Sequence, residues 1–548
     1  MRSGSTSKLA ALLLLGATWT KTVASGEQTQ AKPEWDLVVY GGTAGGVITA
    51  VTAAREGLRV ALVEPGRHLG GMMSGGLGLT DHGRKEVIGG YALEFFHRVG
   101  QKYGEPVTWY FEPHVAEAVF GDMAREAGVR VFLQHRLRET TGVIRRDTRI
   151  EAIAIENRGS FRARIFADAS YEGDLMAQAG VGYTWGREGS REFNESLAGV
   201  RERTPKHQFG VRVNPYDEQG RLLPEVSPGP RGDPGAADRK VQAYKFRICM
   251  TDRAPNRIPF PKPQAYDARR YELLARTLAE MDKLKQAAAR PGRGATANGD
   301  PLDRLTEPWS LSDVMKPDPL PNGKTDTNNN GAFSTDYIGG NYEYPDGSYI
   351  TRARIWQAHV DYVQGFFYFL ANDPQVPRGL HEAMSPWGLC KDEFVDNGHW
   401  PHQLYIREAR RMRGEFVMSQ KDIQTELTKP DSIGMGSYNS DSHNVQRVAT
   451  PDGTAENEGD MQVPVKPYQI PYRLMLPKRT EATNLLVPVA FSATHVAYST
   501  LRMEPQYMII GQAAGVAAKL ALDAGTAVQD VDPSALAAKL RKQQAVLE

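Results

Sequence analysis

The sequence is poor in cysteine: its 548 residues include only Cys249 and Cys390. That excludes a disulfide scaffold, a four-cysteine zinc site and an iron–sulfur cluster held by this chain alone. The two cysteines can pair once or stay buried and free, and their spacing does not decide between these. An excess of charge of one sign is also lacking. Lys and Arg number 66 against 65 Asp and Glu, a formal net charge of +1. Removing residues 1–25, which hold Arg2, Lys8 and Lys21 and no acid, would leave −2. Neither balance gives the basic surplus that nucleic acid or an anionic membrane surface attracts. The spacings H-E-x-x-H, C-x-x-C and G-x-S-x-G do not occur. His399 and His402 alone make a poor ligand set, so no metal is expected. What is present is ordinary globular composition: 41% apolar, 24% charged and 9% aromatic residues. A chain of this length divides into two large units or three to four smaller ones.

No apolar run approaches the roughly 20 residues that cross a bilayer. The most apolar stretch, Leu9 to Trp19, follows Arg2 and Lys8 and precedes the small residues Thr22-Val23-Ala24-Ser25. That pattern reads as a secretory signal peptide over residues 1–25. The expectation is a periplasmic or secreted protein, exported unfolded by the general route, with no membrane span in the mature chain.

The segment from Trp35 to Glu64 carries the clearest organisation. Asp36-Leu37-Val38-Val39-Tyr40 is an apolar strand pattern and Gly41-Gly42-Thr43-Ala44-Gly45-Gly46 a turn. Residues 47–55 form an alanine-rich helix stopped by Gly57, and residues 58–63 a second strand. This is a βαβ unit. Gly41 permits the tight turn, Gly46 lets helix and strand pack closely, and Thr43 replaces the middle glycine of the usual fingerprint. Amides at the helix start face a pyrophosphate, and Glu64 stands where an acid accepts a ribose diol. A glycine-rich continuation, Gly70-Gly71-Met72-Met73-Ser74-Gly75-Gly76, would let backbone approach a diphosphate and a flavin; the bland alternative is a flexible loop. Ala167-Asp168-Ala169-Ser170 closes a later strand in the manner of a second dinucleotide segment.

Further strands are expected at 129–133 and as a hairpin of 150–156 with 160–167, joined at Asn157-Arg158-Gly159. Residues 285–345, rich in Gly, Pro, Asn and Asp, read as a long loop or mobile insertion, and Pro317, Pro319 and Pro321 exclude a helix there. Helices are expected over 355–370 and 404–418, a strand over 485–489 and a long helix over 503–524, with Gly511, Ala513, Ala514 and Gly515 on a close-packing face. The fold expected is α/β. A Rossmann-like FAD-binding domain is built from both ends of the chain (34–190 and 465–548), with a mixed α+β substrate domain inserted at 191–464.

The chain resembles the FAD-dependent oxidoreductases that have a glutathione-reductase type of nucleotide-binding domain, and more closely an exported bacterial branch of them. The resemblance rests on Val39-Tyr40-Gly41-Gly42-Thr43, on the stretch Asp396-Asn397-Gly398-His399-Trp400-Pro401-His402 through Arg411, and on Leu501-Arg502-Met503-Glu504-Pro505 with Gly511-Gln512-Ala513-Ala514-Gly515. It runs from about residue 34 to 525 and departs at Gly45, where relatives carry proline or alanine. It implies FAD as cofactor, with Gln512 and Ala513 in a segment beside the flavin ring. A helix start there would stabilise negative charge on the reduced ring.

The function these readings give is oxidation of a small polar organic substrate, such as a sugar or other hydroxylated compound, by hydride transfer to flavin. Reoxidation would be by oxygen or an unidentified redox partner. His399, His402 and His443 are the candidate proton acceptors, with Arg502 beside them. Tyr438 completes the set, while Arg407, Arg410 and Arg411 read as carboxylate holders or as the solvated face of a helix. Two other readings remain: a polysaccharide lyase, since relatives are sometimes labelled xanthan lyases, and a non-catalytic glycan-binding protein on a nucleotide fold.

Overall fold

The computed structural model describes residues 33–156, 158–288 and 307–548. The expected signal peptide and Asn157 of the hairpin turn lie outside the described residues. At the front of the chain, Trp35–Tyr40 forms β1, Ala44–Arg55 forms α1 and Val60–Val63 forms β2. The remaining elements of this half are α2 (Gly90–Lys102), α3 (Pro113–Glu126), β3 (Arg130–Phe132), β4 (Val143–Arg146), β5 (Arg149–Ala154) and β6 (Ser160–Asp168). The order in the sheet is β3-β2-β1-β6-β5-β4, with β1 parallel to β2 and to β6. The strand Leu485–Leu486 joins β6 in parallel, so both ends of the chain build this mixed α/β, Rossmann-like sheet.

Val38 and Val39 are fully buried, which suits a central strand covered on both faces. Helix α1 starts at Thr43, whose hydroxyl accepts from the Gly46 N–H, and every residue from Ala44 to Ala53 is buried. Its outer side meets the helix Glu504–Ala524 at glycine-to-backbone distance. A Cβ on Gly511 would stand 2.3 Å from the Gly45 carbonyl oxygen, and one on Gly515 would stand 2.6 Å from Thr52 Cβ. Thr49 and Thr52 turn their hydroxyls back to Gly45 and Ile48 carbonyls of their own helix, so the crossing holds no unsatisfied donor from them.

A second sheet has the order Met315–Leu320, Lys324–Asn329, Ile248–Thr251, Gly388–Cys390, Arg257–Ile258. Within the expected loop over 285–345, of which residues 289–306 lie outside the described residues, its presence is a correction: Met315–Leu320 and Lys324–Asn329 are an antiparallel hairpin turning at Pro321–Gly323, with Asn322 at φ 62°. Pro317 and Pro319 fit because their strand is an edge. The helix Tyr349–Asn372 contains the expected apolar stripe.

Residues 404–418 are not helical. Tyr405 donates its N–H to Lys245 O at 2.8 Å, and Arg411–Met412 pairs with Tyr183–Thr184. The arginines are not a solvated face either: Arg407 and Arg411 are 1% and 0% exposed. Backbone pairing with distant segments and buried ion pairs override helix propensity here. Ser432–Gly436 is a further strand.

Gly511→Val should destabilise the protein by about 1–3 kcal/mol through overpacking at the helix crossing. Gly121→Ala, in α3 with open space around its Cβ position, should be neutral or slightly stabilising. Denaturant unfolding of the two variants measures the contrast.

Candidate active site

The nucleotide end of the site follows from the β1–α1 turn. Gly41 has φ 103°, and a Cβ there would press on the Ala169–Ser170 backbone at 2.6 Å. A Cβ on Gly46 would stand 1.9 Å from the Gly41 oxygen, so strand and helix touch only because both positions lack side chains. Thr43 Oγ1 donates to Ala169 O at 2.8 Å while accepting from Gly46 N, tying the turn to the end of β6. Glu64, half-buried at the end of β2, accepts from the N–H groups of Gly42 at 2.6 Å and Gly66 at 2.5 Å. Burial raises its carboxyl to about 7 against the opposing effect of those two donors.

The glycine-rich loop lies across this turn. Gly70 N donates to Gly42 O at 2.7 Å, and Met72 N donates to the Tyr171 hydroxyl at 2.9 Å. That hydroxyl donates in turn to Glu504 Oε1 at 2.7 Å, at the start of the helix Glu504–Ala524. A Cβ on Gly71 would meet the Tyr171 hydroxyl, one on Gly75 would meet Gln403, and one on Gly76 would come to 2.1 Å from Arg247 O. At the same helix start, Arg502 Nε, Glu504 Oε2 and both amide atoms of Gln506 are buried without a hydrogen-bond partner. Unsatisfied donors and acceptors beside a glycine cradle are what a polar planar ring and its diphosphate require, so the residues present fit FAD.

Next to this stands a cavity of about 580 Å³. Its walls include Asp81 from the glycine-rich loop, Arg247, Tyr405, Arg407, Tyr438, Asp441, His443 and Arg502. Tyr438 donates its hydroxyl to Asp81 at 3.0 Å, and Arg502 Nη2 donates to Asp441 O at 2.8 Å. Arg247 is held in a two-point ion pair with Asp326. Asp336 accepts from Arg407 Nη2 at 3.0 Å and from His443 Nδ1 at 2.8 Å. Burial alone would raise the Asp336 carboxyl, but Arg407 and then His443 hold it well below the usual carboxylate range. Burial, followed by Arg407, pushes His443 down to about 3, so the imidazole is neutral.

The expected site residues therefore fall into separate groups. Arg502 and His443 share the cavity wall. His402 lies elsewhere, stacked on His68 with ring centroids 3.8 Å apart and 3.5 Å from Ser74 Oγ. His399 sits in a left-handed turn at φ 63°, its Nδ1 3.2 Å from Glu393 O. Asp168 spends its two oxygens on Ser170 and on the Met176 N–H, fastening its own turn. Gln512 accepts from Tyr91 N and donates to Gln543, anchoring the start of α2, while Ala513 is buried in the helix crossing. Glu112, His114 and Glu393 come close enough to hold a cation, and the Lys324 ammonium already sits 2.6 Å from each of the two carboxylates. Asp336, Gln506 and Asp81 were missed from the sequence. Asp336 is 107 residues from its histidine and carries no local pattern; Asp81 ends the glycine-rich run and was within reach.

Residues 36–540 match a family described as FAD dependent oxidoreductase. The chain belongs to this family. A comparison with curated proteins returned no match. Among solved structures, Thermovibrio ammonificans THI4 is similar at 21% identity and a TM-score of 0.21, over 27% of this chain and 63% of that one. L-proline dehydrogenase from P. horikoshii is similar at 15% identity and a TM-score of 0.23, over 35% of this chain and 63% of that one. L-amino acid deaminase from Proteus vulgaris is similar at 15% identity and a TM-score of 0.21, over 30% of this chain and 54% of that one. The chain spans less than two thirds of the length of each.

Ribose hydroxyls donate best to an ionised carboxylate, and Glu64 ionises near pH 7 in the ligand-free chain. FAD affinity should therefore rise with pH up to about 7 and level off above it, with a slope approaching tenfold per unit on the acid side. Glu64→Gln should bind FAD more weakly and lose that slope, as fluorescence titration from pH 5.5 to 8.5 would show.

Proposed function

We propose that the protein oxidises a small polar organic substrate, a sugar or other hydroxylated compound, by hydride transfer to the flavin, and that it acts in the periplasm or outside the cell. The observation that carries this reading is the His443–Asp336 pair on the wall of a polar cavity adjoining the glycine-rich loop. FAD, when bound, supplies the hydride acceptor. His443 donates Nδ1–H to Asp336, which leaves the Nε2 lone pair free for the proton of a substrate hydroxyl as its C–H bond is broken. Asp336 fixes the tautomer and, with Asp441 at 3.8 Å from Nε2, stabilises the ring once it carries the proton. Arg407 and Arg502, each buried with Nε unpartnered, offer donors for a substrate oxygen. The electrons then pass to oxygen or to a redox partner.

The test is anaerobic mixing of the holoenzyme with polyols, sugars and hydroxy acids, following loss of the visible flavin band. A substrate should bleach the flavin, and His443→Gln should slow bleaching about 10²–10⁴-fold with FAD content unchanged. Asp336→Asn should act in the same direction. Because His443 stays unprotonated down to about pH 3, the rate for saturated holoenzyme should show no fall due to this group between about pH 8 and pH 5. Unchanged bleaching in His443→Gln would remove the assigned base. Polymer cleavage by a flavin-free preparation would replace the whole reading with the lyase one.

A further inference from the structure

The second sheet, which supplies Asn328 and Asn329 to the cavity wall, also holds both cysteines of the chain. Gly388 pairs with Thr251 and Leu389 with Met250 in the antiparallel ladder, and the same register sets Cys390 across from Cys249. Their sulfur atoms are 3.3 Å apart. Both side chains are buried, 3% and 1% exposed, and pack with Phe394 as a small apolar cluster of their own. With no third cysteine in the sequence, neither thiol has a competing partner. Directly opposed residues of an antiparallel pair hold their Cα atoms about 4.5–5.5 Å apart, within the 4.4–6.8 Å that a disulfide spans. Burial, and then the Cys390 sulfur, push the Cys249 thiol well above its ordinary range, so this thiol is unreactive in the folded chain.

We propose that Cys249 and Cys390 are a redox modification site that closes one intrachain disulfide. The oxidant is a disulfide of another protein or of a small molecule, met while the chain is folding and the thiols are still accessible. The thiolate of one cysteine attacks that disulfide and forms a mixed disulfide. The second cysteine then displaces the oxidant, giving the Cys249–Cys390 bond and two thiols on the oxidant; two electrons and two protons leave the cysteine pair. The bond closes a loop between positions 141 apart and constrains the unfolded chain accordingly. It joins Ile248–Thr251, which follows Lys245 and Arg247, to Gly388–Cys390, which precedes the stretch carrying Tyr405 and Arg407. Two walls of the cavity are thereby stapled together.

The full chain is refolded in a glutathione/glutathione-disulfide buffer and, separately, in dithiothreitol, then loaded with FAD. In denaturant the oxidised sample should titrate no thiols and the reduced sample two. The oxidised chain should be lighter by two hydrogens and yield a cross-linked peptide joining positions 249 and 390. Its thermal midpoint should lie a few degrees above that of the reduced form. In the Cys249→Ala, Cys390→Ala double variant the cross-link and the difference between buffers should both vanish. Two titratable thiols after oxidative refolding, or two separate glutathione adducts, would overturn the proposal. So would a difference in midpoint that persists in the double variant.

Discussion

The close crossing of α1 and the helix Glu504–Ala524 is the constraint on which the site depends. No side chain stands between them at Gly45, Gly511 and Gly515, so the later helix can lie against the nucleotide-binding turn. Its first turn then reaches Tyr171, and one hydroxyl joins Glu504 to the amide of Met72. Three segments far apart in sequence are thus held in one geometry by the absence of side chains at a few positions. Gly45, where a proline or alanine was expected from relatives, has its reason here: a Cβ would come within 2.9 Å of the Tyr507 carbonyl oxygen.

Much of the nucleotide half was legible in the sequence because its determinants are local. Short continuous apolar runs, a glycine turn and an acid at a strand end lie within 30 residues, and β1, α1, β2 and the 150–168 hairpin form close to where those patterns put them. The long C-terminal helix was legible for the same reason. The cavity was legible only in part. His443 and Arg502 were singled out by residue type, whereas the acid that gives His443 its tautomer comes from a different part of the chain, and His399 and His402 face other surroundings.

The stretch around Arg407, Arg410 and Arg411 shows most plainly why. In the sequence, arginines at these spacings look like a solvated helix face. In the fold each meets an acid contributed from elsewhere: Asp336 for Arg407, Asp174 and Asp346 for Arg410, and Glu188 for Arg411, which also pairs with Glu408 of its own stretch. Such buried pairs contribute little net stability, because desolvation offsets much of the attraction, but losing one partner is costly. Their effect is positional: an extended strand of chain is fixed along the cavity, carrying Tyr405 and Arg407 into its wall. Lys324 acts similarly between Glu112 and Glu393, its ammonium supplying the positive charge that two buried carboxylates demand.

The edge strand Met315–Leu320 has a consequence for the behaviour of the chain in company. Its ladder to Lys324–Asn329 uses one side of the backbone. Pro317 and Pro319, two residues apart, withhold their N–H groups from the same side, and the unbroken ladder puts that side outward. A neighbouring molecule that tried to add a strand there would find two successive donors missing. The second sheet therefore ends in a border that resists edge-to-edge growth into aggregates, a form of protection written into composition rather than into any surface charge.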